Sequence, residues 1–437
     1  MSQNLDLKFP QKIYLSGADC FHLMLEINSK KHISSNNVIR IIFHFDDEAS
    51  VDPIINNIKL SPLITWLCNI SLVKGVLFQK PYWKYKNTGN KIAIKNHFCD
   101  TDKFIPSEIL NRKINIHSDC PIEFDVIKYS SKKVALIISW HHIIMDGRGS
   151  GMLMQHLNNQ TPVTNKLFSE FFPNNKTKTS LFRYIKNMYE VKAFIEKSSK
   201  APIATVSKRN ISSNAAFKIK TILFNKLETE KIDSNSKKNG ARFGSNIFLM
   251  SCCAHIVHEI NLLRQSPGTI WIPIPQDGRK RGGFGPIISN CISFLFYRLT
   301  VNDLTSVKQT VQSINHQLAE QIKLEMPKKY NMLLNMMRHI PLKLYHFLST
   351  NASKGVVASF LYSSAGEDFR DLNSLTNKPA NDVLILPPST FPPGLTFSFL
   401  RFNGNLKMNI VYCEDTISTK ELDLIELNIK KYILGDY

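Results

Sequence analysis

The sequence predicts a globular α/β protein with two halves, each a mixed sheet flanked by helices. Two patterns support this prediction: short runs rich in β-branched and aromatic residues alternate with helical patterns, and a polar segment interrupts that alternation near the middle of the chain. The composition agrees, because 437 residues with 43% apolar and 21% charged positions exclude a mainly disordered or coiled-coil chain.

Strand patterns dominate the first half. The predicted elements, in order, are a strand at 38–45, a helix around 52–68, short strands from Leu77 and from Lys91, and a hairpin of residues 121–129 and 133–140. The second strand of the hairpin, KVALIISW, is wholly apolar. Such a run is typical of a central strand that is buried on both faces.

A long polar connection separates the two halves. Residues 158–178 mix polar and turn residues, a helix is predicted at 180–197, and another polar stretch continues to 213. We therefore predict an N-terminal lobe at 1–178, a connecting helix and linker at 179–213, and a C-terminal lobe at 214–437.

The C-terminal lobe is predicted to be a second mixed α/β unit. Its elements are a strand from Phe217, helices near 226–239 and 245–263, strands at 269–275 and 289–301, a helix near 304–324, a Met-rich stretch at 330–348, a strand at 355–364, a hairpin at 394–412 and a helix near 418–434. Asn403-Gly404, between two alternating runs, is the strongest hairpin turn in the chain.

Charge and cysteine content limit the class of protein. The formal net charge of +20 favours anionic partners, yet the basic residues come mostly as singles and pairs, which is typical of a solvated surface. Eight cysteines occur without a C-x-x-C pair, so no metal site is predicted and reduced thiols are expected. Without a signal sequence or an apolar run of about 18 residues, we expect a monomeric cytoplasmic protein.

One short motif carries chemistry. The apolar strand ends at His141-His142-Ile143-Ile144-Met145-Asp146-Gly147. Adjacent residues that leave a strand point to opposite sides, so one histidine can enter a cleft while the other packs into the structure. In a chain with 13 histidines, a chance H-H-x-x-x-D-G is roughly a one-in-a-thousand event.

This motif resembles the signature of the chloramphenicol acetyltransferase-like acyltransferases, which include peptide-synthetase condensation domains, wax ester and diacylglycerol synthases, and plant acyltransferases. Most of the chain is covered, although only the histidine motif is highly specific. The further similarities are Leu15-Ser16-Gly17-Ala18-Asp19, residues 271–275 with Arg279 or Arg281, Gly285 through Asn290, and residues 393–398 with Asn403-Gly404. The late D-F-G-W-G loop of the plant branch is absent, which argues against that branch.

The resemblance implies two chloramphenicol acetyltransferase-like lobes with an active-site tunnel between them. It makes His142 the general base and His141 a structural residue. It also implies that Asp146 holds an arginine of the other lobe, with Arg279 as the first candidate and Arg281 as the second, and that Gly147 keeps the tunnel open. An imidazole with a pKa near 6.5 can take the proton of an attacking alcohol or amine at neutral pH.

Other site residues are predicted with less specific signals. Ser363, Ser364 and Ser398 lie on predicted strands and could donate to a tetrahedral oxyanion, and Asn290 is a further tunnel candidate. Lys280 and Arg281 are candidates for donor binding. His255, His258 and Glu259 do not match zinc-site spacing and indicate a helix face, and the Gly-rich loop at 282–285 lacks the Lys-Ser/Thr of a phosphate loop.

The resemblance therefore implies an acyltransferase that acts on a thioester, with a small-molecule or lipid acceptor, in lipid or secondary-metabolite biosynthesis. No cofactor is expected to be bound permanently. The co-substrate is acyl-coenzyme A or a phosphopantetheine-linked acyl group on a carrier protein acting in trans, and peripheral membrane contact through the Met-rich stretch is an open alternative to core packing. A non-catalytic carrier- or ligand-binding protein of the same fold is the alternative function. Nucleic-acid binding is not expected, because no recognition module is present.

Overall fold

The computed structural model describes most of the chain. The described ranges are 7–32, 37–75, 79–158, 163–173, 181–199, 202–207, 211–212, 215–242, 244–280, 283–350, 355–365, 380–388 and 390–435. The helices are α1 (Gly17–Lys30), α2 (Asp52–Leu60), α3 (Pro62–Cys68), α4 (Ser107–Leu110), α5 (Gly147–Asn158), α6 (Asn165–Glu170), α7 (Leu181–Ser199), α8 (Lys226–Lys238), α9 (Asn246–Leu263), α10 (Val307–Lys323), α11 (Met326–Met337), α12 (Leu342–Thr350) and α13 (Thr419–Leu434). The strands are β1 (Lys12–Tyr14), β2 (Val38–Phe45), β3 (Ile70–Val73), β4 (Tyr82–Tyr85), β5 (Ile94–Cys99), β6 (Ile122–Tyr129), β7 (Val134–His141), β8 (Phe217–Phe224), β9 (Ile270–Asp277), β10 (Ile292–Leu299), β11 (Leu361–Ser364), β12 (Asp382–Leu386), β13 (Leu395–Phe402) and β14 (Asn405–Cys413).

A five-stranded sheet forms the centre of the N-terminal half. Its order is β12-β2-β7-β6-β5, and only the β5–β6 pair is parallel. All eight residues of β7 are buried, which confirms the central strand that its unbroken apolar run predicted. A small sheet of order β1-β4-β3 belongs to the same half.

The C-terminal half contains a four-stranded sheet of order β11-β13-β14-β8 and the two-stranded ribbon β9–β10. A hydrogen bond links the ribbon to the segment before β11: the backbone N–H of Trp271 in β9 donates to the hydroxyl of Ser359 (2.8 Å). At the predicted β13–β14 turn, Asn403 and Gly404 have φ values of 49° and 78°, the left-handed pair that this dipeptide adopts readily. Mixed sheets flanked by helices confirm the predicted α/β class.

Several elements differ from the sequence prediction. Strand β12 was not predicted, and it pairs with β2 of the N-terminal sheet although it lies in the segment assigned to the C-terminal lobe. The helix expected around 52–68 is two helices, because Ser61 ends α2 and caps α3. Pro341 similarly divides the Met-rich stretch into α11 and α12. The strand expected from Leu77 begins at Tyr82, and Leu77 itself lies outside the described residues.

Helix α9 has the length and apolar composition of a membrane-spanning segment, contrary to our expectation that no such run exists. In this structure 72% of its 18-residue window is buried. Its side chains form part of the C-terminal core, where they pack with the buried residues of β9, β13 and α13. The position of α9 is therefore that of a core helix.

Candidate active site

The histidine pair lies where β7 leaves the N-terminal sheet. The backbone N–H of His141 donates to the carbonyl of Pro121 (2.9 Å), and that of His142 donates to the carbonyl of Asn37 (2.7 Å). The chain then turns and begins α5 at Gly147. Because β7 is paired on both sides, this end of the strand is held in a fixed place.

His141 is fully buried and points away from the cleft. Its Nε2 lies 3.0 Å from a carboxylate oxygen of Glu26 on α1, while its Nδ1 accepts from the N–H of Ile143 (3.4 Å). A ring nitrogen that accepts carries no proton, so Nε2 carries the proton and donates to Glu26. Burial acts to raise the pKa of Glu26, but its contacts with His141 and Lys30 outweigh burial and bring that pKa to about 2.

His142 lines the large cavity of the molecule. Its carbonyl accepts from the side-chain amide of Asn290 (2.7 Å), a residue of the C-terminal half. Its ring stacks on the ring of His22, with centroids 3.8 Å apart. Burial lowers the pKa of His142 to about 4, and the nearby backbone of His142 and Met145 and the carboxylate of Asp146 offset this only in part.

Asp146 and Arg279 form a buried ion pair across the two halves. The guanidinium Nη1 of Arg279 lies 3.0 Å from Asp146, and the two side chains are 2% and 5% exposed. Asp146 also accepts from the N–H of Cys291 and from the N–H of Gly149, which caps α5 (both 2.8 Å). Burial acts to lower the pKa of Arg279, but Asp146, Cys291 and Asp277, whose carboxylate lies 2.9 Å from Nη1, together outweigh this effect and the pKa is raised.

A second set of contacts ties α1 to the same place. Asp19 accepts from the backbone and side-chain amides of Asn290 (2.7 and 2.8 Å) and from the hydroxyl of Ser289 (2.7 Å). Burial raises the pKa of Asp19, and these hydrogen bonds counter the rise only in part. Because the side-chain amide of Asn290 donates to both Asp19 and His142, it has no hydrogen left for a substrate oxyanion.

The cavity has a volume of about 1610 Å³ and is lined by both halves. The ribbon β9–β10 turns one face towards it, as the alternation of strand side chains requires. The residues of that face that line the cavity are Trp271, Pro273, Pro275, Asp277, Ile292, Phe294 and Phe296. Helix α11 adds Tyr330, Leu334 and Met337, which share one helix face. The tunnel predicted between the lobes thus corresponds to a cavity with a largely apolar wall.

Of the remaining predicted site residues, some line the cavity and others lie elsewhere. Ser363 and Ser364 line the cavity, whereas Ser398 is buried in β13 and is not among the lining residues. Lys280 is exposed outside the cavity, and Arg281 lies outside the described residues. A Cβ at Gly147 would meet no atom within 4 Å. At Gly149 it would approach the carbonyl oxygen of Ile287 to 2.5 Å, so this neighbouring glycine is required for packing.

The zinc-like trio on α9 belongs to the interior of the C-terminal half. His255 is buried and its Nε2 lies 2.9 Å from the hydroxyl of Thr310. Glu259 contacts Asn428 and Tyr432. Within the described residues no group of three histidine, cysteine or carboxylate side chains could hold a metal ion.

Three residues of the site were not predicted from the sequence: His22, Glu26 and Asn37. Two of them could have been found, because Ser16-x-x-Asp19 is a capping-box pattern that starts a helix. From that start, residues 19, 22 and 26 have the spacing i, i+3 and i+7 and share one helix face. On that face, Asp19 contacts Asn290 and His22 stacks on His142. Glu26 contacts His141.

The pH dependence of activity should report the low pKa of His142. With His142 as the general base that the motif predicts, the ring must be unprotonated to act, so we expect kcat/KM to be flat from pH 8 to about pH 5 and to fall as the pH passes through about 4. Burying a neutral histidine stabilises the fold above its unfolded pKa of about 6.5, and this stabilisation is lost as the pH falls towards 4. Circular dichroism at each pH will separate unfolding from titration. An acid limb near pH 6.5 in a folded protein would contradict the prediction.

Comparison with solved structures identifies the fold. The first condensation domain of the calcium-dependent antibiotic synthetase, in complex with a substrate analogue, matches with a TM-score of 0.66 at 10% identity, covering 98% of this chain and 96% of that chain. A trichothecene 15-O-acetyltransferase from Fusarium sporotrichioides matches with a TM-score of 0.69 at 11% identity, covering 97% and 95%. The epimerization domain from the third module of tyrocidine synthetase B matches with a TM-score of 0.58 at 11% identity, covering 97% and 95%.

These matches are similarities of fold at low sequence identity. No protein-family model matches the sequence, and no curated protein matches it. The chain has the fold of this condensation domain and of this acetyltransferase, which is the fold that the histidine motif predicted.

Proposed function

We propose that this protein is an acyltransferase that moves an acyl group from a thioester to a hydroxyl or amine acceptor, with His142 as general base. The observation that carries the proposal is the setting of His142. Its backbone is held by Asn37 of one half and Asn290 of the other, and its side chain lines the cavity between them. His141 is engaged with Glu26 and is structural in this proposal.

The chemistry requires one proton carrier. As the acceptor oxygen or nitrogen attacks the thioester carbonyl, its proton passes to the ring of His142. The tetrahedral intermediate then expels the thiolate, the carbon–sulfur bond breaks, and the imidazolium returns the proton to sulfur. No acyl-enzyme forms. The low pKa of the free ring is compatible with this role, because negative charge that develops on the carbonyl oxygen favours the protonated ring.

We choose the hydrogen-bond donor to the oxyanion by the accessibility of the candidate side chains to the cavity. Ser363 is an exposed residue of β11 that lines the cavity, so its hydroxyl is the donor we propose. Ser398 is buried elsewhere, and the amide of Asn290 is fully engaged. The aromatic and proline residues on β9–β10 favour an apolar group on the acyl chain or on the acceptor, since such a wall offers few hydrogen-bond partners.

The donor in this proposal is acyl-coenzyme A or an acyl carrier protein acting in trans, in the cytoplasm. The support is electrostatic: the net charge is +20, and coenzyme A phosphates and acidic carrier proteins are both anionic. Lys280 is exposed, and Arg281 follows it in the sequence. We propose this loop as a contact for the donor.

Thiol release measures the proposed reaction directly. Matched acyl-coenzyme A and acyl-carrier donors, each with alcohol and amine acceptors, should release thiol with the wild-type protein. A carrier contacts a broad surface, so its kcat/KM should fall steeply from 0.1 M to 1 M salt, as the Debye length falls from about 10 to about 3 Å. Coenzyme A should respond less to salt and more to Lys280→Glu or Arg281→Glu.

Lys308→Glu, a charge reversal at an exposed position of α10, is the matched control for the loop variants. It should leave the preference between donors unchanged. Acyl transfer would be rejected if no donor released thiol under any condition, and binding of a carrier without turnover would then favour a non-catalytic role.

A further inference from the structure

The ring of His22 lies flat against the ring of His142. The ring centroids are 3.8 Å apart and the ring planes differ by 27°. Both side chains line the cavity, and His22 is only 7% exposed. His22 comes from α1, and the histidine motif does not include it. This contact therefore joins an N-terminal helix to the proposed catalytic ring.

The stacking matters because no side-chain hydrogen bond among the described residues fixes the plane of the His142 ring. The torsion that rotates a histidine ring has broad, roughly two-fold preferences, so the side chain alone does not set the plane. Catalytic imidazoles are commonly oriented by a hydrogen bond at the nitrogen that does not react. Nδ1 of His142 is buried and has no side-chain hydrogen-bond partner among the described residues, and the backbone of His142 and Met145 lies close to the ring.

We infer that His22 is a positioning residue that sets the orientation of the His142 ring by stacking; this inference rests on the proposed function. His22 is held for this role by Asn37, whose side-chain amide donates to the His22 carbonyl (3.3 Å). The carbonyl of the same asparagine accepts from the N–H of His142 (2.7 Å). Asn37 and the two stacked rings thus form a closed set of contacts.

The ring of His22 remains neutral while the ring of His142 takes a proton. Burial, together with the neighbouring His142 and His141, holds the pKa of His22 well below its usual value. The charged side chains that line the cavity with the two rings are Asp146, Arg148, Lys192, Asp277 and Arg279. A neutral ring avoids like-charge repulsion with a protonated His142. Stacking by a ring of similar size that cannot titrate should therefore preserve the function.

Three variants test the inference. His22→Phe keeps a stacking ring and should retain kcat within about threefold, whereas His22→Leu removes the ring and should lower kcat by about 10-fold to 100-fold with little change in KM. His44→Leu is the matched control, because it removes another histidine ring, which is partly buried and stacks on Tyr129 away from the cavity. It should leave kcat unchanged. If His22→Leu does not fold, His22→Met replaces it.

A readout without turnover separates this inference from the proposed function. Titration of the His142 Cε1–H signal by NMR should give a pKa of about 4 in the wild-type protein and in His22→Phe. In His22→Leu the pKa should rise towards its usual value, because water can enter beside the ring. Equal kcat and an equal His142 pKa in His22→Leu and the wild type would overturn the inference. Equal losses in His22→Phe and His22→Leu would also overturn it, because the ring face would not then be what matters.

Discussion

His142→Ala should fold normally and lose about 10²-fold to 10⁴-fold in kcat, the usual contribution of a general base. The backbone contacts of residue 142 with Asn37 and Asn290 do not depend on the imidazole, so the loop should keep its conformation. The measurement is thiol release with the wild-type donor and acceptor, together with thermal unfolding of each variant.

His141→Ala is the matched control for this result. It removes the neighbouring ring and leaves the buried carboxylate of Glu26 without its histidine partner, so it should lower thermal stability as well as activity.

Added imidazole should restore part of the activity of His142→Ala, because the deleted ring lines an open cavity. Wild-type turnover by a folded His142→Ala protein would refute general base catalysis by this residue.

Asp146→Ala should lower the free energy of unfolding by about 3–5 kcal/mol, because it removes the buried carboxylate that pairs with Arg279 and leaves only the more exposed carboxylate of Asp277 beside the guanidinium. Arg279→Ala should cost a similar amount. The double variant should cost much less than the sum of the two, since each single change already breaks the same pair. Urea unfolding of the four proteins gives the coupling energy.

A surface pair provides the reference for this cycle. Lys218 and Glu414 form a salt bridge with side chains 57% and 35% exposed, and its loss should cost no more than about 1 kcal/mol. Asp146→Asn separates the charge from the hydrogen bonds, because an amide oxygen can still accept from Gly149 or Cys291. Additivity within about 0.5 kcal/mol in the Asp146–Arg279 cycle would show that the pair is not energetically coupled.

Local patterns predicted much of this fold. The apolar run of β7, the Asn403-Gly404 turn and the helical periodicity of α13 each report the surroundings of consecutive residues, and each element is present. The motif also placed His141 and His142 at the end of a buried strand. Such features depend on residues that are adjacent in the chain, and the sequence gives these residues directly.

Contacts between distant segments were harder to predict. Strand β12 is short and carries no distinctive pattern, so its partner β2 could not be identified from periodicity. We predicted Asn290 as a tunnel residue, but it does not line the cavity, and its side-chain amide links Asp19 to His142. His22 and Glu26 lie on α1, a helix that was not predicted, although the Ser16-x-x-Asp19 capping box that starts it is recognisable in the sequence. The choice of partner is determined by topology, and one sequence pattern is compatible with several topologies.

The late position of β12 in the chain has a consequence for synthesis. Until residues 382–386 have been made, β2 is an unpaired edge of the N-terminal sheet, and seven of its eight residues are buried in the finished protein. An apolar edge strand is a template for pairing with another chain. A nascent N-terminal half is therefore prone to aggregate until its last strand arrives, and a chaperone that shields such an edge would raise the yield of folded protein.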